Sequence, residues 1–121
     1  MGNVFDDQIK FMVACDQTVC KWNASQLNMY CTLIKEEVQE LQEALDNNDK
    51  VEVLDALIDI IVVAAGAVNS TGSNGQGAWD EVMRTNFAKI DPVSGKVKKR
   101  EDGKVLKPEG WKGPDLKPFV I

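Results

Sequence analysis

The 121-residue sequence contains no histidine. That absence excludes Ser–His and Cys–His catalysis, imidazole proton shuttling and histidine-ligated zinc, iron or copper. Cysteine is sparse: Cys15, Cys20 and Cys31 are odd in number and lack CxxC spacing, so neither a disulfide framework nor a zinc knuckle is expected. They read as reduced, small core residues of a cytoplasmic protein. Long apolar runs are missing too. The longest, Ile60–Ala65 extended through Val68, is too short to span a bilayer, and the N-terminus opens on Asn3, Asp6 and Asp7 rather than a basic region. No membrane partner is expected. Cations are scarce where they matter most, with no Lys or Arg between Val51 and Met83.

Charge is unevenly spread. Residues 1–90 carry 6 Lys and Arg against 14 Asp and Glu, a net of −8, whereas residues 91–121 carry 8 against 5, a net of +3. An acidic body argues against nucleic acid as a partner. Apolar residues at 44% and charged residues at 27% suit one folded domain of residues 1–121, with a helical body over 1–90 and a basic tail over 91–121.

Periodicity predicts four helices and an all-α fold. The first spans about Val4 to Val19, with Asn3 as a capping residue. The second spans about Gln26 to Leu45 behind Ser25 as N-cap. Its Leu27, Cys31, Ile34, Val38, Leu41 and Leu45 alternate steps of four and three, the pattern of a packing seam. Asp46–Asn47–Asn48–Asp49 ends it, and a third helix runs from about Val51 to Val68. Asn69–Gly77 reads as loop. The fourth helix carries Trp79, Val82, Met83, Asn86 and Ile90 on one face. Beyond Asp91, Pro92, Pro108, Pro114 and Pro118 break up a tail with a small hairpin around Glu101–Asp102–Gly103.

The third helix is apolar around most of its circumference, yet Glu52, Asp55 and Asp59 share one stripe. Buried carboxylates need a cation or a proton. A salt-bridge stripe completed by Lys35, or a stripe that faces solvent, would satisfy them without function. On the second helix Glu37 and Glu40 lie beside an apolar strip of Tyr30, Leu33 and Ala44, while Glu43 points away and Glu36 is nearly opposite the seam. A short turn makes the two helices antiparallel, which sets Glu37 and Glu40 against Glu52 and Asp55. Four converging carboxylates without imidazole or thiolate suit Mg²⁺ or Mn²⁺. A di-iron bundle requires Glu-x-x-His and is excluded.

Lys35-Glu36-Glu37-Val38-Gln39-Glu40-Leu41 and Glu52-Val53-Leu54-Asp55 resemble the ExxE…ExxD signature of the all-α nucleoside triphosphate pyrophosphohydrolases, which include MazG, dimeric dUTPases, dCTP pyrophosphatase and phosphoribosyl-ATP pyrophosphohydrolase. Asn86 and Lys89 resemble an Asn and Lys that often follow the fourth helix in MazG-like proteins. The tail from Arg100 to Trp111 is similar to small, often phage-borne members. The resemblance implies an antiparallel hairpin bundle completed by oligomerisation as a homodimer or homotetramer. It implies hydrolysis of a nucleoside triphosphate to monophosphate and pyrophosphate, with a lean towards purine deoxynucleotides taken from the tail. By resemblance Glu37, Glu40, Glu52, Asp55 and Asp59 are metal candidates. Glu36 and Glu37 are the catalytic candidates, and Asn86 and Lys89 the substrate candidates. Lys98, Lys99, Arg100, Lys104 and Lys107 could fold over a triphosphate, and Trp22, Asn23 and Trp111 could meet a base. Two other readings remain open: a phosphoribosyl-ATP pyrophosphohydrolase, and a non-catalytic metal-binding dimerisation module.

Overall fold

A computed structural model describes residues 2–121. The chain forms α1 (Val4–Ala14), α2 (Ala24–Asp46), α3 (Lys50–Ser70) and α4 (Gly75–Phe87), followed by a single 3-10 turn at Lys117–Phe119. No strand occurs among the described residues, so the fold is all-α. The chain divides into two compact units, one running to Gly75 and including Val120–Ile121, the other Gln76–Phe119.

In the first unit three helices start on the same device. Asn3, Asn23 and Asp49 sit in extended backbone, and each side chain accepts the amide N–H three residues on, from Asp6, Gln26 and Glu52. Such a cap satisfies one of the amide groups a helix start leaves without a partner, and is worth about 1 kcal/mol. Asn23 therefore takes the capping role expected of Ser25, and its side chain also donates to Thr18 Oγ1. Between α2 and α3, Asn48 adopts left-handed backbone (φ 51°) and the Asp49 amide returns to the Ala44 carbonyl at 3.0 Å. The turn thus ends one helix and caps the next within four residues.

Two boundaries differ from expectation for tertiary reasons. α1 stops at Ala14 rather than Val19, because Asp16 turns left-handed and the next residues bond elsewhere. Gln17 Oε1 accepts from the Tyr30 hydroxyl, and Thr18 exchanges two hydrogen bonds with the Gln26 amide. The expected loop Asn69–Gly77 shrinks to 71–74. Ser70 Oγ donates to the Gly66 carbonyl and accepts from Gln26, while Asn69 donates to the Phe5 carbonyl, so both remain helical.

The packed face of α2 is not the expected seam. Cys31, Val38 and Leu45 are exposed, and Leu27, Ile34 and Leu41 are only half-buried. The fully buried positions are Gln26, Tyr30 and Ala44, with Leu33 and Glu37 half-buried in the same row, one step around the helix. Across from it α3 presents Ala56, Asp59, Val63, Gly66 and Ser70. Tyr30 explains the choice. Its ring lies so close to Gly66 that a Cβ there would stand 2.2 Å from Cε1, and its hydroxyl is held by Gln8 and Gln17. Only glycine permits that approach. On the other side of α3, α1 contributes Met12, which is fully buried.

Packing within one chain leaves α3 open on a wide face. Val51, Leu54, Leu57, Ile58, Ile61 and Val62 are between 39% and 76% exposed, apolar surface that the single chain does not cover. All three cysteines are free and exposed, so they are not core residues. No helix of the described residues is long and apolar enough to cross a membrane.

In the second unit the tail is tied to α4. The Trp111 indole N–H donates to the Thr85 carbonyl at 2.7 Å, and the Asp115 amide donates to Glu81 at 2.8 Å. Arg84 grips the same Glu81 carboxylate, and these two partners draw it down to a pKa of about 2. The tail hairpin is present as isolated antiparallel bridges, Lys99 with Val105 and Ile90 with Val97, around a turn at Arg100–Lys104.

Gly66→Ala tests the helix pairing through its sign. Helix propensity alone favours alanine by up to about 1 kcal/mol, whereas overpacking against an immobilised ring costs about 1–3 kcal/mol. Urea denaturation should show a net loss of stability; a gain would mean that Tyr30 does not fix the approach of α2 to α3.

Candidate metal centre

The row that packs α2 on α3 carries carboxylates at its middle. Gln26 bonded to Ser70, and Tyr30 against Gly66, fix the antiparallel register. About two helical turns further along, that register sets Glu37 level with Asp59, and the end of α2 level with the start of α3. Glu37 and Glu40 were expected to face Glu52 and Asp55; Asp55 does act on Glu37, and Asp59 acts on it as well.

Glu37 is the most constrained member. Its Oε2 is buried and finds no hydrogen-bond partner among the described residues. Burial, a hydrogen bond with Glu40, and the charges of Glu40, Asp59 and Asp55 push its carboxyl up to about 7 from an ordinary 4.5. Asp59, half-buried on α3, is also raised, first by burial and then by Asp55 and Glu40. Glu37, Glu40, Asp55 and Asp59 thus act on one another across two helices. Glu52 joins through Glu40: both line a cavity of about 310 Å³ with Glu43, Ala44, Asn47 and Asp49 at the hairpin end. Glu43 is exposed, as expected of a surface charge, although it lines the same cavity.

Glu36 is exposed and is not among the groups acting on Glu37 or Asp59. The expected alternative of a salt-bridge stripe fails: no Lys or Arg, Lys35 included, pairs with these carboxylates among the described residues. Of the stripe itself, Glu52 and Asp55 do face solvent, and Asp59 is half-buried. A buried carboxylate oxygen without a partner costs about 1–3 kcal/mol or more. A proton or a cation relieves it. The donor set, all carboxylate oxygen, fits a hard divalent ion such as Mg²⁺ or Mn²⁺. No group of three or more described Asp, Glu or Cys side chains already converges as a metal cage. Like charges repel one another apart when nothing lies between them, so an ion would have to draw these side chains together.

Asn86 and Lys89 belong to the second unit. Asn86 is exposed rather than a buried amide on an apolar face, and it accepts from Lys89 Nζ at 3.0 Å. Lys89 also stands 4.9 Å above the Trp111 ring centre. Trp22 is largely exposed, and Asn23 is committed to the α2 cap. The carboxylates Glu81, Asp91 and Asp102 take up backbone amides in the tail, a role that spacing did not reveal.

The family model for phosphoribosyl-ATP pyrophosphohydrolase matches residues 11–86, more than half of the chain. The protein belongs to this family. It is thereby a member of the MazG-like nucleotide pyrophosphohydrolase superfamily. The match covers every carboxylate of the α2–α3 row and Asn86, and ends before Lys89 and the tail. Comparison with curated proteins gives no match.

The crowded row makes stability depend on pH. Folded Glu37 keeps its proton up to about 7, while the unfolded chain releases it near 4.5. Between those values the folded state binds more protons, so the metal-free protein should lose stability as pH rises from about 4.5 to about 7. Glu37→Gln should flatten this slope and raise stability at pH 8. Urea midpoints between about pH 4 and 8 in EDTA measure both effects. A wild-type midpoint that rose across this window relative to Glu37→Gln would show that Glu37 is not crowded.

Proposed function

We propose that the protein is a divalent-metal-dependent hydrolase of nucleoside triphosphates that cuts between the α- and β-phosphates, releasing the monophosphate and pyrophosphate. The observation that carries this reading is the unpartnered Glu37 Oε2, set among Glu40, Asp55 and Asp59 with no basic side chain to neutralise them. An acidic body accepts a polyphosphate only across a cation. Glu40 and Asp55, with Glu37, Glu52 and Asp59, would hold Mg²⁺ or Mn²⁺, and such an ion would neutralise phosphate charge and act as a Lewis acid at phosphorus.

Within the chain's own chemistry, Glu37 is the first candidate for general base where its carboxylate is not itself taken up by the ion. Glu36 is a second, more exposed candidate for that role. Asn86 and Lys89, joined by their hydrogen bond within the second unit, are the proposed substrate-binding pair. Purine deoxynucleotides are the favoured substrates within the panel below, and the cytoplasm is the proposed site of action.

The matched family model favours phosphoribosyl-ATP as a second substrate reading. A homodimer or homotetramer is proposed from the exposed apolar face of α3, which a second copy would cover. Sedimentation at micromolar concentration should show that assembly; a stable monomer would remove it.

A panel of ribo- and deoxynucleoside triphosphates and phosphoribosyl-ATP, with Mn²⁺ or Mg²⁺, tests the reaction. Pyrophosphate should appear and EDTA should abolish it; release of orthophosphate with a diphosphate would overturn the assignment. Asp55→Asn and Glu40→Gln should lower turnover about 100-fold or more. Both should be at least as stable as wild type without metal, because each removes one of several crowded charges. Glu101→Gln, on the exposed tail turn, should leave turnover unchanged. If Mn²⁺ raised the melting temperature of Asp55→Asn as much as that of wild type, Asp55 would not be a ligand.

A further inference from the structure

Helix α4 begins at Gly75, and Asn74 stands immediately before it. Asn74 is exposed, whereas Gly75 is buried. We propose that Asn74–Gly75 is a self-modification site, at which the Asn74 side-chain amide is lost through a cyclic imide, leaving aspartate or isoaspartate at position 74. Neither the carboxylate row nor a nucleotide enters this chemistry.

The nucleophile is the Gly75 amide nitrogen. It gives its proton to solvent hydroxide and attacks Asn74 Cγ. The Cγ–Nδ2 bond breaks, ammonia leaves with a proton taken from water, and the imide ring closes. Water then opens the ring at one of two bonds. Cleavage between Cγ and the Gly75 nitrogen yields aspartate. Cleavage between that nitrogen and the Asn74 backbone carbonyl carbon yields isoaspartate, with the main chain running through Cγ. No oxidant or cofactor is consumed.

Backbone bonding sets this pair apart from the other asparagines. The first amides of a helix have no intrahelical partner, so helix bonding does not withhold the Gly75 N–H. Asn28, Asn69 and Asn86 lie inside α2, α3 and α4, where the next amide is tied into the helix. Asn47 and Asn48 precede amides bonded to the Leu45 and Ala44 carbonyls. Asn3 and Asn23 are held as caps, and Val4 and Ala24 after them carry a Cβ that crowds ring closure. Gly75 has none, so its nitrogen is unhindered. Packing keeps glycine there: a Cβ at position 75 would stand 2.6 Å from Phe5 Cδ1. The seat of Phe5 thus requires the residue that makes Asn74 reactive. The two products differ in consequence. The first turn of α4 has no acidic residue, so an aspartate at its start meets the positive end of the helix and is favourable. Isoaspartate adds a methylene carbon to the main chain before Gly75 and displaces it from the Phe5 ring.

Peptide mapping by mass spectrometry tests the proposal on the full chain, held folded in mildly alkaline buffer. Position 74 should convert from amide to acid before any other asparagine, and a methyltransferase specific for isoaspartyl carboxyls should label that peptide. Asn74→Ser, which keeps a capping hydroxyl, should fold and abolish the modification. Gly75→Ala should slow it about tenfold or more, because a Cβ crowds the attack. If that variant fails to fold, its urea-unfolded chain beside unfolded wild type gives the same comparison. Separated by chromatography, the aspartate form should melt at or above the unmodified protein and the isoaspartate form below it. An Asn74 still intact in the folded chain once unfolded wild type has converted, or earlier loss at another asparagine, would overturn the proposal. An isoaspartate form that melted with the aspartate form would overturn the displacement of Gly75.

Discussion

Like-charge crowding in the middle of a helix–helix packing row is the constraint around which the first unit is organised. Helices α2 and α3 pack through Gln26, Tyr30 and Leu33 on one side and Val63, Gly66 and Ser70 on the other. That half of the row is well satisfied, with a ring seated on a glycine and an amide bonded to a hydroxyl. Further along, the same row delivers Glu37 and Asp59 to positions where an ordinary domain would place leucine. The close fit at Tyr30–Gly66 prevents either helix from rotating to carry the acids into water. Stable packing at one end thereby enforces unfavourable electrostatics in the middle.

Such a conflict between fold stability and local charge is common where a site must bind something. A proton on Glu37 is one remedy and a hard divalent ion is another, and the two compete for the same oxygens. The hairpin turn adds to the arrangement. Asp49 closes the cap of α3 and also lines the cavity shared by Glu40 and Glu52. Helix initiation and the geometry of the acidic cavity therefore depend on one four-residue segment. The exposed apolar face of α3 lies on the helix that carries Glu52, Asp55 and Asp59.

The second unit solves the opposite problem. Its basic tail is neither loose nor neutralised. Glu81 and the Thr85 carbonyl anchor it through Asp115 and Trp111, while the ammonium groups nearest the ring stay unpaired. Acidic groups there are committed to backbone amides rather than to lysines. The separation of charge seen as −8 and +3 along the chain thus persists as local unpaired charge of each sign within its own unit.

The sequence alone determined the helical content, the hairpin turn and the identity of the acidic residues. The missing histidine and the cation-free stretch from Val51 to Met83 restrict the chemistry by themselves. These are local or compositional properties, fixed by caps, periodicity and the inventory of side chains. What required tertiary structure was which of two adjacent α2 faces packs. Leu27–Leu45 is the more apolar row, and hydrophobic periodicity selects it. The chain instead packs the row containing Tyr30 and Glu37, because Gly66 and Ser70, distant in sequence, accept Tyr30 and Gln26 there. The early end of α1, the helical state of Asn69 and Ser70, and the bond from Trp111 to the Thr85 carbonyl have the same origin. Each depends on partners remote in the chain, and local spacing carries no information about which partner a polar side chain will meet.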